Sequence, residues 1–235
     1  MTVGEPTRSG PFPLVAVDIG NTRLKLGLFE EPPAADSDGL PEPSRTLYVL
    51  PDDLPTIAAW CQPYEVQQLS WWIGSVQRSF TSRLLGWLRA DGETSVTLLA
   101  CGDLDLATAL PRPDMAGIDR LLAAVAANRL RPADRSAVVI DLGTAITVDL
   151  VSRAGVFQGG AILPGVAMAA RALHEFTDLL PLVPMAELAS PPPAPGNDTI
   201  SAMRAGLFWG AVGAVRELVK EYTAEGEPPS ILLTG

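Results

Sequence analysis

Two stretches of the chain carry one arrangement of apolar and polar positions. Val15–Phe29 reads VAVDIGNTRLKLGLF and Ala137–Val151 reads AVVIDLGTAITVDLV. Leading into each Asp-x-Gly are four apolar positions, Leu14–Val17 and Ala137–Ile140; a short polar bend follows, and a second apolar run begins within a few residues. That is the pattern of a β-hairpin. Placing Asp18 on Asp141, an offset of 123, also places Gly20 on Gly143 and Asn21-Thr22 on Thr144-Ala145. One Asp-x-Gly bend is common; two, half a chain apart, point to a duplicated half-domain.

The spacing of apolar positions elsewhere predicts strands at Thr46–Leu50, Leu69–Val76, Ser95–Leu99 and from Ile231 to the final glycine. Helical spacing predicts helices over Leu54–Cys61, Phe80–Arg89, Leu121–Leu130, Val166–Phe176 and Thr199–Tyr222. Between 157 and 165 the glycines of FQGGAILPG suit close backbone approach and a Pro-Gly turn. Trp71 and Trp72 are expected in packing rather than as a ligand platform. Residues 1–12, rich in Pro, Gly and Ser, are expected to form a flexible tail. The remainder divides into an N-terminal lobe over 13–115 and a C-terminal lobe over 116–235.

Composition narrows the chemistry. The 235 residues are 47% hydrophobic, enough for a sizeable core, with 17 Lys and Arg against 27 Asp and Glu. A net charge of −10 disfavours nucleic acid as a partner, because phosphate backbones are bound by Lys and Arg. No apolar run reaches the roughly 18 residues of a membrane helix, so no membrane partner is expected. Cys61 and Cys101 lack metal-ligand or disulfide-framework spacing and read as reduced thiols of a cytoplasmic protein. His174 is the single histidine, with nothing around it to form a Ser-His-Asp set.

The bends themselves can do chemistry. Backbone amides around Gly20, Asn21 and Thr22 could converge on an anion. Asp18 suits Mg²⁺ held through water, since a hard cation takes oxygen ligands, and Lys25 supplies a point charge to a phosphate oxygen. Taken singly, either bend is equally an ordinary tight turn. Asp119-Arg120 stands where a helix starts after the proline-broken loop LPRPDMA; an acid there also satisfies the helix dipole alone.

Six segments taken together resemble type III pantothenate kinases, of the sugar kinase, actin and heat-shock ATPase superfamily: DIGNTRLK (18–25), GIDR (117–120), DLGTAITVD (141–149), GGAILPG (159–165), TDLLP (177–181) and the closing LLTG. The resemblance implies an α/β fold of two ribonuclease H-like (actin-like ATPase) lobes with a central cleft, and ATP-dependent phosphorylation of pantothenate on its terminal hydroxyl, the first step of coenzyme A synthesis. By resemblance, Asp119 corresponds to the general base. Asp18, Ile19, Gly20, Asn21, Thr22, Arg23, Leu24 and Lys25 correspond to the first ATP-phosphate loop, and Thr144 to a second ATP contact. Asp141 corresponds to the site of a monovalent cation, K⁺ or NH₄⁺. Gly117, Ile118, Asp119, Arg120 and Thr177 correspond to the pantothenate pocket, where the Arg120 fork suits a carboxylate. The family also implies a homodimer, to which the small residues of 199–222 are suited.

Two departures stand out. A tyrosine that many members carry seven residues before the motif glycine is Leu110 here. Members usually continue past a Thr-Gly-Gly turn, whereas this sequence stops at Gly235, so nucleotide binding is expected to be weaker or completed by a partner. A kinase of another small hydroxy acid, and a catalytically impaired or regulatory homologue, are the alternatives on the same scaffold.

Overall fold

A computed structural model describes residues 11–34, 39–50, 53–90, 92–223 and 228–235. Most of the expected tail, residues 1–10, lies outside the described residues. The chain forms two compact units, Met1–Asp105 with Arg112–Leu122, and Leu106–Pro111 with Ala123–Gly235.

The first unit is built on a five-stranded sheet. Its strands are β1 (Leu14–Ile19), β2 (Leu24–Phe29), β3 (Arg45–Val49), β4 (Ser70–Ser75) and β5 (Ser95–Leu98), in the order β3-β2-β1-β4-β5. β1, β2 and β3 form an antiparallel meander, and β4 joins β1 in parallel. Two helices, α1 (Pro55–Cys61) and α2 (Arg78–Leu88), supply buried side chains to one face. Val15, Val17 and Ile19 of β1 alternate into that core with Leu24, Leu26 and Leu28 of β2, Trp71 and Ile73 of β4, and Leu84 and Leu88 of α2. Strand periodicity then turns Asp18 to the opposite face. Trp71 is fully buried and its Nε1 donates to the Val66 carbonyl at 3.1 Å, whereas Trp72, one position on, is 41% exposed. The pair is packed only at its first member.

The second unit repeats the plan. β6 (Ala137–Leu142), β7 (Ala145–Val151) and β8 (Phe157–Pro164) form an antiparallel meander, and β9 (Ser230–Thr234) pairs with β6 in parallel, giving β8-β7-β6-β9. Adding 123 to the bounds of β1 gives those of β6, so the duplication read from Asp18 and Asp141 is a duplication of strand order as well. Val138, Ile140, Ile146 and Val148 pack against Ala211, Val215, Leu218 and Val219 of α5 (Thr199–Tyr222). Beside them, α4 (Val166–Glu175) contributes Ala170 to a smaller cluster with Val183, Leu188, Met203 and Leu207.

The glycine-rich 157–165 segment, expected as close-approach backbone and a turn, is largely strand. Its glycines still do what was expected of them: a side chain on Gly160 would overlap the Val148 carbonyl and Asp149. Helix α3 (Ile118–Leu130) gives its first residues to the first unit and the rest to the second. Among the described residues no helix is long and apolar enough to cross a membrane.

Candidate active site

In the first unit the β1–β2 bend is closed by the Gly20 amide donating to the Arg23 carbonyl at 3.2 Å. Asp18 and Lys25 are direct cross-strand partners, and Lys25 Nζ lies 3.6 Å from Asp18 Oδ2. Gly20 has ordinary backbone torsions, and a Cβ there would meet only the Arg23 carbonyl at 3.5 Å. The backbone path of this bend therefore does not require glycine, and the chain could carry a side chain there without strain. Arg23 instead stacks over the Tyr48 ring at 5.2 Å.

Asp119 occupies the first turn of α3. The helix begins with the Leu121 amide donating to the Gly117 carbonyl at 3.3 Å, and Asp119 Oδ1 accepts from the Arg120 amide at 2.8 Å. This first turn packs on β4, where Leu122 lies over Gly74, the residue paired with Asp18 in the parallel ladder. Asp18 thereby has charged neighbours of opposite effect. Partial burial pushes its carboxyl above the ordinary range, Lys25 draws it back down, and the negative charge of Asp119 adds to the rise. Asp18, Lys25 and Asp119 are thus one electrostatic group within a single unit.

A cavity of about 830 Å³ opens beside the start of α3. Ser75, Gln77, Arg78, Thr81 and Cys101 line it together with Gly117 and Ile118. Ser75 Oγ and Thr81 Oγ1 are 2.6 Å apart, and Thr81 Oγ1 donates to the Gln77 carbonyl at 2.9 Å. These polar residues were not singled out from the sequence. Their one legible signal is Gln77, whose Oε1 caps α2 by accepting from the Ser79 and Phe80 amides at 2.7 and 3.2 Å.

In the second unit, Asp141 stands on β6 between Thr147 of β7 and Thr234 of β9. The bend closes with the Gly143 amide donating to the Ala145 carbonyl at 3.0 Å, one residue tighter than its counterpart in the first unit. Three backbone segments crowd it. The Gly165 amide donates to the Thr144 carbonyl at 3.1 Å, and a Cβ on Gly165 would overlap the carbonyls of Gly143 and Thr144. Gly235, at φ +131°, packs so that a Cβ would come 2.5 Å from the Leu142 carbonyl. Neither closing glycine was placed here by sequence reasoning, because partners 22 and 93 residues away leave no local signal.

Thr177 lies just beyond α4 in the second unit, exposed, its hydroxyl donating to the Leu173 carbonyl at 2.6 Å. Leu110 is half-buried there, 3.1 Å from where a Cβ on Gly159 would stand. His174 Nδ1 is engaged with the Leu180 carbonyl at 2.8 Å.

Among the described residues no three His, Cys, Asp or Glu side chains are gathered as a metal cage. A half-exposed carboxylate beside a tight bend is nonetheless a fitting donor for Mg²⁺, which is commonly held by one or two protein carboxylates together with substrate phosphates.

The sequence profile of the family described as type III pantothenate kinase matches residues 14–221. A Dehalococcoides mccartyi protein named type III pantothenate kinase is 30% identical over 230 residues, covering 94% of this chain and 85% of its own. A protein of the same name from Rhodopirellula baltica is 45% identical over 125 residues, covering 52% and 44%. Among solved structures, a Sinorhizobium meliloti protein described as a candidate 2-dehydro-3-deoxygalactonokinase aligns with a TM-score of 0.50 at 15% identity, covering 94% of this chain and 85% of that one.

Proposed function

The chain belongs to the type III pantothenate kinase family, and from that premise we propose how its residues divide the work of transferring a phosphoryl group from ATP to pantothenate. The fold is the mixed α/β fold of actin-like ATPases and sugar kinases. The enzyme is a kinase of coenzyme A biosynthesis.

Phosphoryl transfer asks a protein for positioning and charge neutralisation more than for covalent chemistry. The observation that carries the assignment is the grouping of Asp119 with Asp18 and Lys25 within one unit. Asp119 accepts the proton of the pantothenate hydroxyl as the new O–P bond forms and the bond to the ADP leaving group breaks. Lys25 and the β1–β2 bend at residues 20–22 receive phosphate oxygens of ATP. Asp18 would hold Mg²⁺ through water, and the ion would supply neutralisation of the phosphate charge. Thr144 is a second ATP contact, and Asp141 is the holder of a monovalent cation, K⁺ or NH₄⁺. Arg120 takes the pantothenate carboxylate, Gly117 and Ile118 border the pocket, and Thr177 belongs to the same substrate set. The cavity lined by Ser75, Gln77 and Thr81 supports this reading, because it opens at Gly117 and offers hydroxyls to a polar, flexible substrate.

A homodimer is part of this reading. The face of α5 that carries Gly206, Gly210 and Gly213 is open, with nothing within 4 Å of an added Cβ. An apolar groove of about 1210 Å³ runs along α4 and α5, and Phe176 and Leu179 beside it are 86% and 87% exposed. Exposed apolar surface of this kind is a mark of an interface. Two free thiols fit a reducing, cytoplasmic setting.

The test is an assay of ADP release with ATP, Mg²⁺ and K⁺, run with and without pantothenate and repeated with Na⁺ for K⁺. Pantothenate-dependent ADP release that falls sharply in Na⁺ is expected. ADP release with another hydroxy acid in its place would redirect the substrate assignment, and equal rates in both salts would remove the cation role of Asp141.

A further inference from the structure

Asp119 owes its place to two positions at which the chain carries no side chain, and neither is a turn that requires glycine. Gly117 and Gly74 both have ordinary backbone torsions. At Gly117 an added Cβ would run into Asp119 Oδ1 and stand 3.6 Å from Val76 Cγ1. The oxygen it would displace is the one that accepts from the Arg120 amide, so the space above Gly117 is where that side-chain rotamer rests. At Gly74 an added Cβ would lie 2.9 Å from Leu122 Cδ1 and 3.8 Å from Ile118 Cγ2. The first turn of α3 therefore settles directly onto β4 at the residue paired with Asp18.

We propose that Gly117 and Gly74 are positioning residues for the general base: Gly117 leaves the room that fixes the Asp119 carboxylate, and Gly74 lets the helix bearing it close down beside Asp18. The proposal rests on the reading of Asp119 as the base, and it gives Gly117 a task other than contact with pantothenate. A misplacement of reacting groups by about 1 Å costs on the order of 100-fold in rate. Positioning therefore acts on kcat, whereas a lost substrate contact acts on pantothenate affinity.

The experiment compares Gly117→Ala, Gly74→Ala and the double variant Gly74→Ala with Leu122→Ala. Each is followed by kcat, by calorimetric pantothenate affinity in the presence of a non-hydrolysable ATP analogue, by thermal melting, and by the ¹³C shift of the Asp119 carboxyl. Gly117→Ala, whose Cβ displaces the carboxylate oxygen itself, is expected to lose about 10- to 100-fold in kcat with the Asp119 signal displaced. Gly74→Ala, where the end of the Leu122 side chain can turn partly aside, is expected to lose a smaller factor of about three- to tenfold. In both, pantothenate affinity stays within about threefold. Removing the Leu122 methyls from the Gly74→Ala background is expected to restore most of the rate, since the crowding is with that side chain. A Gly117→Ala enzyme with weakened pantothenate affinity and unchanged kcat would overturn the role of Gly117. A Gly74→Ala enzyme with full kcat, or one that Leu122→Ala does not rescue, would overturn that of Gly74. Should Gly117→Ala fail to fold, the Gly74 pair decides the proposal alone. Asp119→Asn, run in parallel, separates the two levels: if it still turns over, the base assignment falls, while the carboxyl shift in the glycine variants still reports whether the glycines position Asp119.

Discussion

Lys25 Nζ sits 3.6 Å from Asp18 Oδ2 across directly paired positions of β1 and β2, yet the Asp18 carboxyl titrates above its ordinary range. Burial and the charge of Asp119 outweigh the lysine. The hairpin thus holds an anion at some cost in the empty protein, as a site prepared for a cation and a phosphate would.

A stability change with a defined sign follows. Because the folded-state pKa of Asp18 is raised, this group favours folding below the unfolded carboxylate range and loses that contribution as pH rises through the folded value. Asp18→Asn removes the cost of ionisation, so at pH 7 the unliganded variant is expected to melt at the same temperature as the parent or slightly above it. The difference should narrow as pH falls toward about 4. Stabilisation by Mg²⁺ and ATP should meanwhile be lost. Paired melts with and without nucleotide check both; an unliganded variant clearly less stable at pH 7 would count against the charge balance described.

Asp119→Asn keeps the shape of the side chain and its capacity to accept from the Arg120 amide, but it cannot take a proton. Turnover is expected to drop by about 10²- to 10⁴-fold, while ATP affinity stays within a small factor. Single-turnover kinetics with a separate nucleotide titration make the comparison.

If the open glycine face of α5 is where two copies meet, a large side chain there blocks them. Gly210→Leu is expected to shift the protein from dimer to monomer by light scattering at micromolar concentration, with little change in the far-ultraviolet spectrum. A parent protein that is itself monomeric would end the dimer reading.

The two thiols should be separable by reactivity. Burial pushes Cys61 up to about 11, and it is fully buried, whereas Cys101 is half-buried at the rim of the cavity near Gly117. A thiol reagent at pH 8 is expected to modify Cys101 first and to reach Cys61 only on unfolding, as the thiolate is the reacting form.

Much of the scaffold was legible because its signals are local. The Asp-x-Gly bends, the apolar alternation of β1 and β6, and the Ala- and Leu-rich α3 each announce themselves within a dozen residues. β8 carries no legible strand signal, since Gly159 and Gly160 weaken strand propensity; the neighbouring Val148 carbonyl explains Gly160, and the positive φ of Gly159 explains the other. Adjacent tryptophans suggest one shared role, but strand periodicity separates Trp71 and Trp72 onto opposite faces. The grouping of Asp18 with Asp119 is an electrostatic influence across a separation of 101 residues, and no window of sequence contains it.

Gly20 sits in unremarkable torsions with room for a methyl group. In the empty protein, then, an alanine there should be nearly silent, and the bare polypeptide has no use for the hydrogen in place of a carbon. Any penalty that does emerge must come from what occupies the bend during catalysis, which makes this position a gauge of how tightly the guest is pressed against the backbone.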